Sequence, residues 1–161
     1  MVIESQRRAL LRFRYVGFAA VLIVLLGCAR GGPCVAIVAP DGATRATVSV
    51  EVANTIEQRE RGLMFRKHLD DNAGMIFIFQ DSEQRSFWMH NTDIPLDMIF
   101  ADPQFRVIGI VANAAPHTDT LRNVEGSSQY VLEVNGGFCA KHNIKPGDHF
   151  DFQNLFPHAS E

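Results

Sequence analysis

Between Trp88 and Asp97 the chain gathers an aromatic ring, a histidine, an amide and two carboxylates around a break at Pro95. Such a set could hold a small polar ligand. It could also move a proton, with Asp97 or His90 as general base. Alternation along Leu96-Asp97-Met98-Ile99-Phe100 sends Asp97 to the face opposite Leu96, Met98 and Phe100. A carboxylate flanked by apolar residues is expected to be partly buried and to need a partner. Arg61, at the end of an expected helix, is the cation assigned to it. The expected ligand pocket is therefore Arg61, Trp88, Asn91 and Asp97, with His90 and Asn113 at its rim. The plainer reading is a structural Arg61–Asp97 pair with Asn91 capping the loop.

Other chemistry is weaker. His90, Asp93 and Asp97 match no metal-ligand spacing, neither a zincin helix nor a Cys/His ribbon, so no metal is expected. Cys139 and His142 would be neighbours on a helix, as a thiol and its base must be. Core packing or a disulfide explains Cys139 more simply. Ser127-Ser128 lacks the Gly-x-Ser-x-Gly elbow. No Gly-x-Gly-x-x-Gly is present to cradle a phosphate, and no cofactor is expected.

The elements that must position these residues are short. Val48, Val50 and Val52 share one face of a strand over 47–53. Thr55 and Gln58 have capping-box spacing ahead of a charged helix over 56–63. Residues 75–79 form a nearly continuous apolar strand, 80–84 a polar loop and 85–89 a returning strand. Further strands are expected at 96–100, 106–111, 130–134 and 149–152, with a possible short one at 35–38. One or two helical turns fill 136–143, where Asn143 suits a left-handed end. About seven short strands and two short helices predict a small closed β-barrel-like sheet, mainly β.

The N-terminus looks like an address. Arg7, Arg8, Arg12 and Arg14 precede a dozen apolar residues, which end at Leu25-Leu26-Gly27-Cys28. This resembles a bacterial lipobox, with Cys28 as the lipidated residue. Cleavage by the ordinary signal peptidase and an uncleaved anchor helix are the alternatives, and Arg7-Arg8 matches twin-arginine export only loosely. The expected division is a signal at 1–27, a lipidated tether at 28–45, a globular domain at 46–153 and a tail at 154–161. Two or more acyl chains give stable anchoring where one does not. Ala29, rather than Asp, leans toward the outer membrane by resemblance to sorting rules. Removing the first 27 of 161 residues leaves 134, the size of one domain. It also removes four arginines and Glu4, taking the formal charge from −3 to −6. No basic run remains, so no nucleic-acid partner is expected. The membrane contact is the anchor alone, on a domain expected to be monomeric.

With Cys28 acylated, Cys34 and Cys139 remain, either as a disulfide or as two thiols. A bridge would close a loop of 105 residues, worth about 4–5 kcal/mol in the chain-entropy model.

Several motifs in order carry a family resemblance. They are Arg61-Gly62-Leu63-Met64-Phe65-Arg66, Gly74-Met75-Ile76-Phe77-Ile78-Phe79 and Phe87-Trp88-Met89-His90-Asn91-Thr92, then Ile94-Pro95-Leu96-Asp97-Met98-Ile99-Phe100 and Ile144-Lys145-Pro146-Gly147-Asp148. Together they span residues 47–152. The chain resembles the domain-of-unknown-function 192 family, with His90 where that pattern commonly has Lys. The resemblance implies a small, β-rich, often exported domain and no established reaction. The functional expectation is a lipid-anchored periplasmic envelope domain with a small-ligand-binding or accessory role. The alternatives are a hydrolase-like enzyme using Asp97 or His90 as general base, and a structural envelope component.

Overall fold

The apolar runs pair into one seven-stranded sheet in the computed structural model, which describes residues 31–155. The strands are β1 (Cys34–Val38), β2 (Thr44–Ala53), β3 (Ala73–Glu83), β4 (Leu96–Ala101), β5 (Val107–Ala114), β6 (Ser128–Asn135) and β7 (His149–Gln153). The helices are α1 (Ile56–Arg61) and α2 (Phe138–Lys141). Across the sheet the order is β5-β4-β6-β3-β2-β1-β7. Only β2 and β3 run parallel, because α1 carries the chain between them. The sheet curls into a half-barrel, the mainly β architecture expected from sequence. An isolated bridge from Arg106 to His149 links its two edges.

Period-two alternation sorts the residues into two cores. The inner core takes residues from all seven strands, including Val35, Val48, Ile76, Ile99, Val107, Leu132 and Phe150, and is plugged by Phe138 and Cys139 of α2. The outer core covers only the middle of the sheet. There Met75, Phe77, Met98, Phe100 and Val131 pack under Leu63, Leu69 and Met89 from the loops. Close approach in the centre needs a glycine: a Cβ on Gly74 would lie 2.5 Å from the Glu133 carbonyl oxygen of β6. The capping box at α1 forms as expected, since Thr55 Oγ1 accepts from the Gln58 amide and Gln58 Oε1 from the Thr55 amide. A single capping interaction of this kind is worth about 1 kcal/mol.

Three expectations need correction. Residues 85–89 join no strand of the sheet; Phe87 makes one isolated bridge, to Arg122. β3 runs on through the polar residues to Glu83, which uses up the length expected for a loop. The possible short strand expected at 35–38 does form, as β1, seated between β2 and β7. Finally, the Cys34–Cys139 bridge does not form. Cys34 is disulfide-bonded elsewhere and Cys139 is a free, buried thiol. Cys34 alternates with inward-facing Val35 and so points outward, whereas Cys139 belongs to the inner core. Cys28 and the lipobox lie outside the described residues, as does the tail from residue 156 onward.

Candidate functional site

Asp97 is fully buried on the inner face of β4, and Arg61 is not its partner. Its Oδ1 accepts from the amides of Asn113 at 2.7 Å and Gly137 at 3.0 Å. Its Oδ2 accepts from the Cys139 amide at 2.8 Å. Three backbone donors satisfy the carboxylate, so no counter-cation is required. Asn113 reaches this geometry with φ of 50°, a left-handed value that asparagine tolerates. Burial pushes the Cys139 thiol up from its ordinary range, and the Asp97 charge and hydrogen bond push it further. That sulfur is not an activated nucleophile.

The other expected residues disperse. Trp88 stacks on His90, with ring centroids 4.9 Å apart, at the surface. His90 Nδ1 lies 2.7 Å from Asp119 Oδ1, leaving Nε2 available. Asn91 sits at φ 52°, and its carbonyl accepts from the Phe65 amide at 2.8 Å. Arg61 is exposed beside a small cavity of about 230 Å³, with Met64, Arg66 and Met75. Of the six residues, the structure joins Asp97 to Asn113 and Trp88 to His90, and makes no single pocket of them.

A larger concavity lies between α1 and the 84–88 segment, with a volume of about 620 Å³. Phe77, Phe79 and Phe87 floor it, while Ile56 and Trp88 (48% exposed) stand at its edge. Phe87 meets Phe77 edge-on at 5.1 Å, which fixes the floor's shape. Two arginines, unremarked in the sequence, frame the groove. Arg85 lies 4.1 Å over the Phe79 ring and is ion-paired with Asp81, which holds the Asp81 carboxyl below its usual range. Arg59 lies 5.1 Å from the same ring. Its Nη1 donates to the carbonyls of Asn54 at 2.8 Å and Ile78 at 3.1 Å. Its Nε and Nη2 meet no acceptor among the described residues. That leaves a fixed guanidinium edge of the kind that grips a carboxylate or phosphate. Spacing alone could not reveal Arg59 and Arg85, because the Phe79 ring unites them only after folding.

Glu133 was also missed. It lies on the outer face of β6, directly opposite Met75 of β3 and Met98 of β4. It is 4% exposed, and its carboxyl makes no hydrogen bond or ion pair among the described residues. Burial pushes it up to about 8. The legible signal was a lone acid inside Tyr130-Val131-Leu132-Glu133-Val134, a strand apolar on both faces.

Comparison with known proteins agrees with this fold. A protein of unknown function from Novosphingobium aromaticivorans is 41% identical, with a TM-score of 0.69 over 73% of this chain and 83% of its own. A protein from Sinorhizobium meliloti, described as a candidate transcription regulator, is 32% identical. It gives a TM-score of 0.72 over 80% of this chain and 100% of its own. No curated protein matches. The family model for domain of unknown function 192, described as an uncharacterized ACR, matches residues 36–152, and the chain belongs to that family.

Proposed function

We propose that the protein is a lipid-anchored accessory domain of the cell envelope that binds a small amphipathic anion in the Arg59–Trp88 groove. The observation that carries this reading is the open Nε/Nη2 edge of Arg59 above a three-phenylalanine floor. The groove's volume of about 620 Å³ suits a drug-sized ligand. A flat apolar moiety would lie on the phenylalanines, and its carboxylate or phosphate would meet Arg59. The chain's acidic balance supports a small ligand over nucleic acid, whatever the name of the S. meliloti relative suggests.

Trp88 is the chain's single tryptophan and lines the groove, so its fluorescence reports binding directly. Aryl carboxylates and aryl phosphates are titrated beside their neutral amides. Anionic members should shift the emission, and Arg59→Met should weaken them at least ten-fold, about 1.4 kcal/mol. Equal binding of neutral and anionic members, or no response to either, removes the reading. The anchor is tested by intact mass of membrane fractions from wild type and Cys28→Ser. An acylated Cys28 has no thiol left for a disulfide, so the mass also reports that sulfur's fate. Membrane retention without acylation in both would refute the anchor.

A second reading, a hydrolase, rests on the His90–Asp119 pair at 2.7 Å beside the groove. Asp97 has no part in it, being buried and fully engaged. Ester hydrolysis that falls in His90→Gln but persists in Arg59→Met would favour this reading over binding alone.

A further inference from the structure

We propose that Met75, Glu133 and Met98 form a binding site for a soft monovalent cation, copper(I) or its surrogate silver(I). The three residues make one row across β3, β6 and β4, with Glu133 in register with both methionines. Directly opposed residues on one face hold their Cβ atoms about 4.5–5.5 Å apart. A methionine side chain spans that gap easily, so two thioethers flank one carboxyl. Thioether sulfur selects copper(I) over hard cations, and a carboxylate supplies charge balance.

Two further observations point to a ligand rather than to packing alone. The first is the state of Glu133. The carboxyl of a residue only 4% exposed is costly to ionise without a donor, and neither thioether can donate to it. A leucine there would fill the space at no such cost. The second is where the methionines gather. The chain has five, and the four beyond Met1 all lie on this side of the sheet. Met75, Met89 and Met98 belong to the outer core. Met64 and Met75 line the cavity of about 230 Å³ beside α1, which brings solvent up to Met75. The charged groups at that mouth are Glu51, Arg61 and Arg66, and Glu51 is paired with Arg66 at 2.5 Å. Cys139 lies on the opposite face, in the inner core, and takes no part.

The test uses the full chain and the metal alone. Copper(I) is offered anaerobically from a chromophoric chelator of known affinity, and silver(I) is followed through the methionine methyl resonances. The expected result is one ion per chain, with the Met75 and Met98 methyls shifting together. Met75→Leu and Met98→Leu conserve volume and should each weaken binding at least ten-fold while the protein stays folded. Glu133→Gln removes the charge-balancing carboxylate and should also weaken binding. Absence of binding overturns the proposal. So does binding that survives both methionine substitutions and disappears only in Cys139→Ala.

Discussion

Asp97 and Glu133 are both buried acids at the centre of the sheet, on neighbouring strands β4 and β6, yet they live in opposite environments. Asp97 faces the inner core, where three backbone amides reach it from β5 and the α2 region. Glu133 faces the outer core between two methionines, with no donor to it among the described residues. The difference teaches how to read a buried carboxyl. One surrounded by amide donors is a structural staple, holding the segment around α2 and the end of β5 against β4. One left among apolar groups keeps its proton, costs stability when ionised and is available to a ligand.

The largest expected effect breaks the staple. Asp97→Ala strands three buried amides and should cost at least about 3 kcal/mol, read by chemical denaturation. Asp97→Asn keeps one accepting oxygen but aims an amide at the remaining donor, and should cost about 1–3 kcal/mol. Asp97→Asn should also speed alkylation of Cys139, because it removes the negative charge that helps hold the thiol protonated. A neutral Asp97→Ala would make Asp97 no different from Glu133, and the contrast would fail.

Glu133 predicts the opposite sign. Its folded value, about 8, exceeds the unfolded value near 4.5, so the folded state binds more protons between them. The wild type should then be most stable below about pH 4.5, as far as this group is concerned, and lose stability as pH rises to about 8. Glu133→Gln should remove that slope. It should be near neutral in acid and stabilising by about 4 kcal/mol at pH 8. A loss of stability in Glu133→Gln at pH 8 would mean that the carboxylate has donors after all.

The sequence announced one of these acids and hid the other for physical reasons. Asp97 sits beside a proline break with polar neighbours, and alternation correctly placed it opposite Leu96, Met98 and Phe100. Its partners could not be read, because backbone amides carry no side-chain signature and those of α2 arrive some 40 residues later. Arg61 was the nearest side-chain cation by pattern, and tertiary structure bypassed it. The capping box and most strands were local properties and hence legible. The segment 85–89 was not, because where β3 ends depends on pairing with distant β6. Arg59 and Arg85 read as ordinary surface charges until Phe79 placed both over one ring.

The smallest effect sharpens the comparison at its edge. Asn113 contributes its amide to Asp97, while its side chain lies over Gly136: a Cβ there would sit 2.6 Å from Asn113 Oδ1. Asn113→Gly keeps the donor and relieves the left-handed backbone, so denaturation should find it within about 0.5 kcal/mol of wild type. Asn113→Ala keeps the same donor but strains the backbone, and should cost about 1 kcal/mol. If the amide is what holds Asp97, the ranking must be glycine, then alanine, then the far larger loss in Asp97→Ala. Should glycine cost as much as Asp97→Asn, the Asn113 side chain would be a structural partner in its own right. Asp97 would then depend on a side-chain network rather than on the backbone alone, and its contrast with Glu133 would rest on fewer donors.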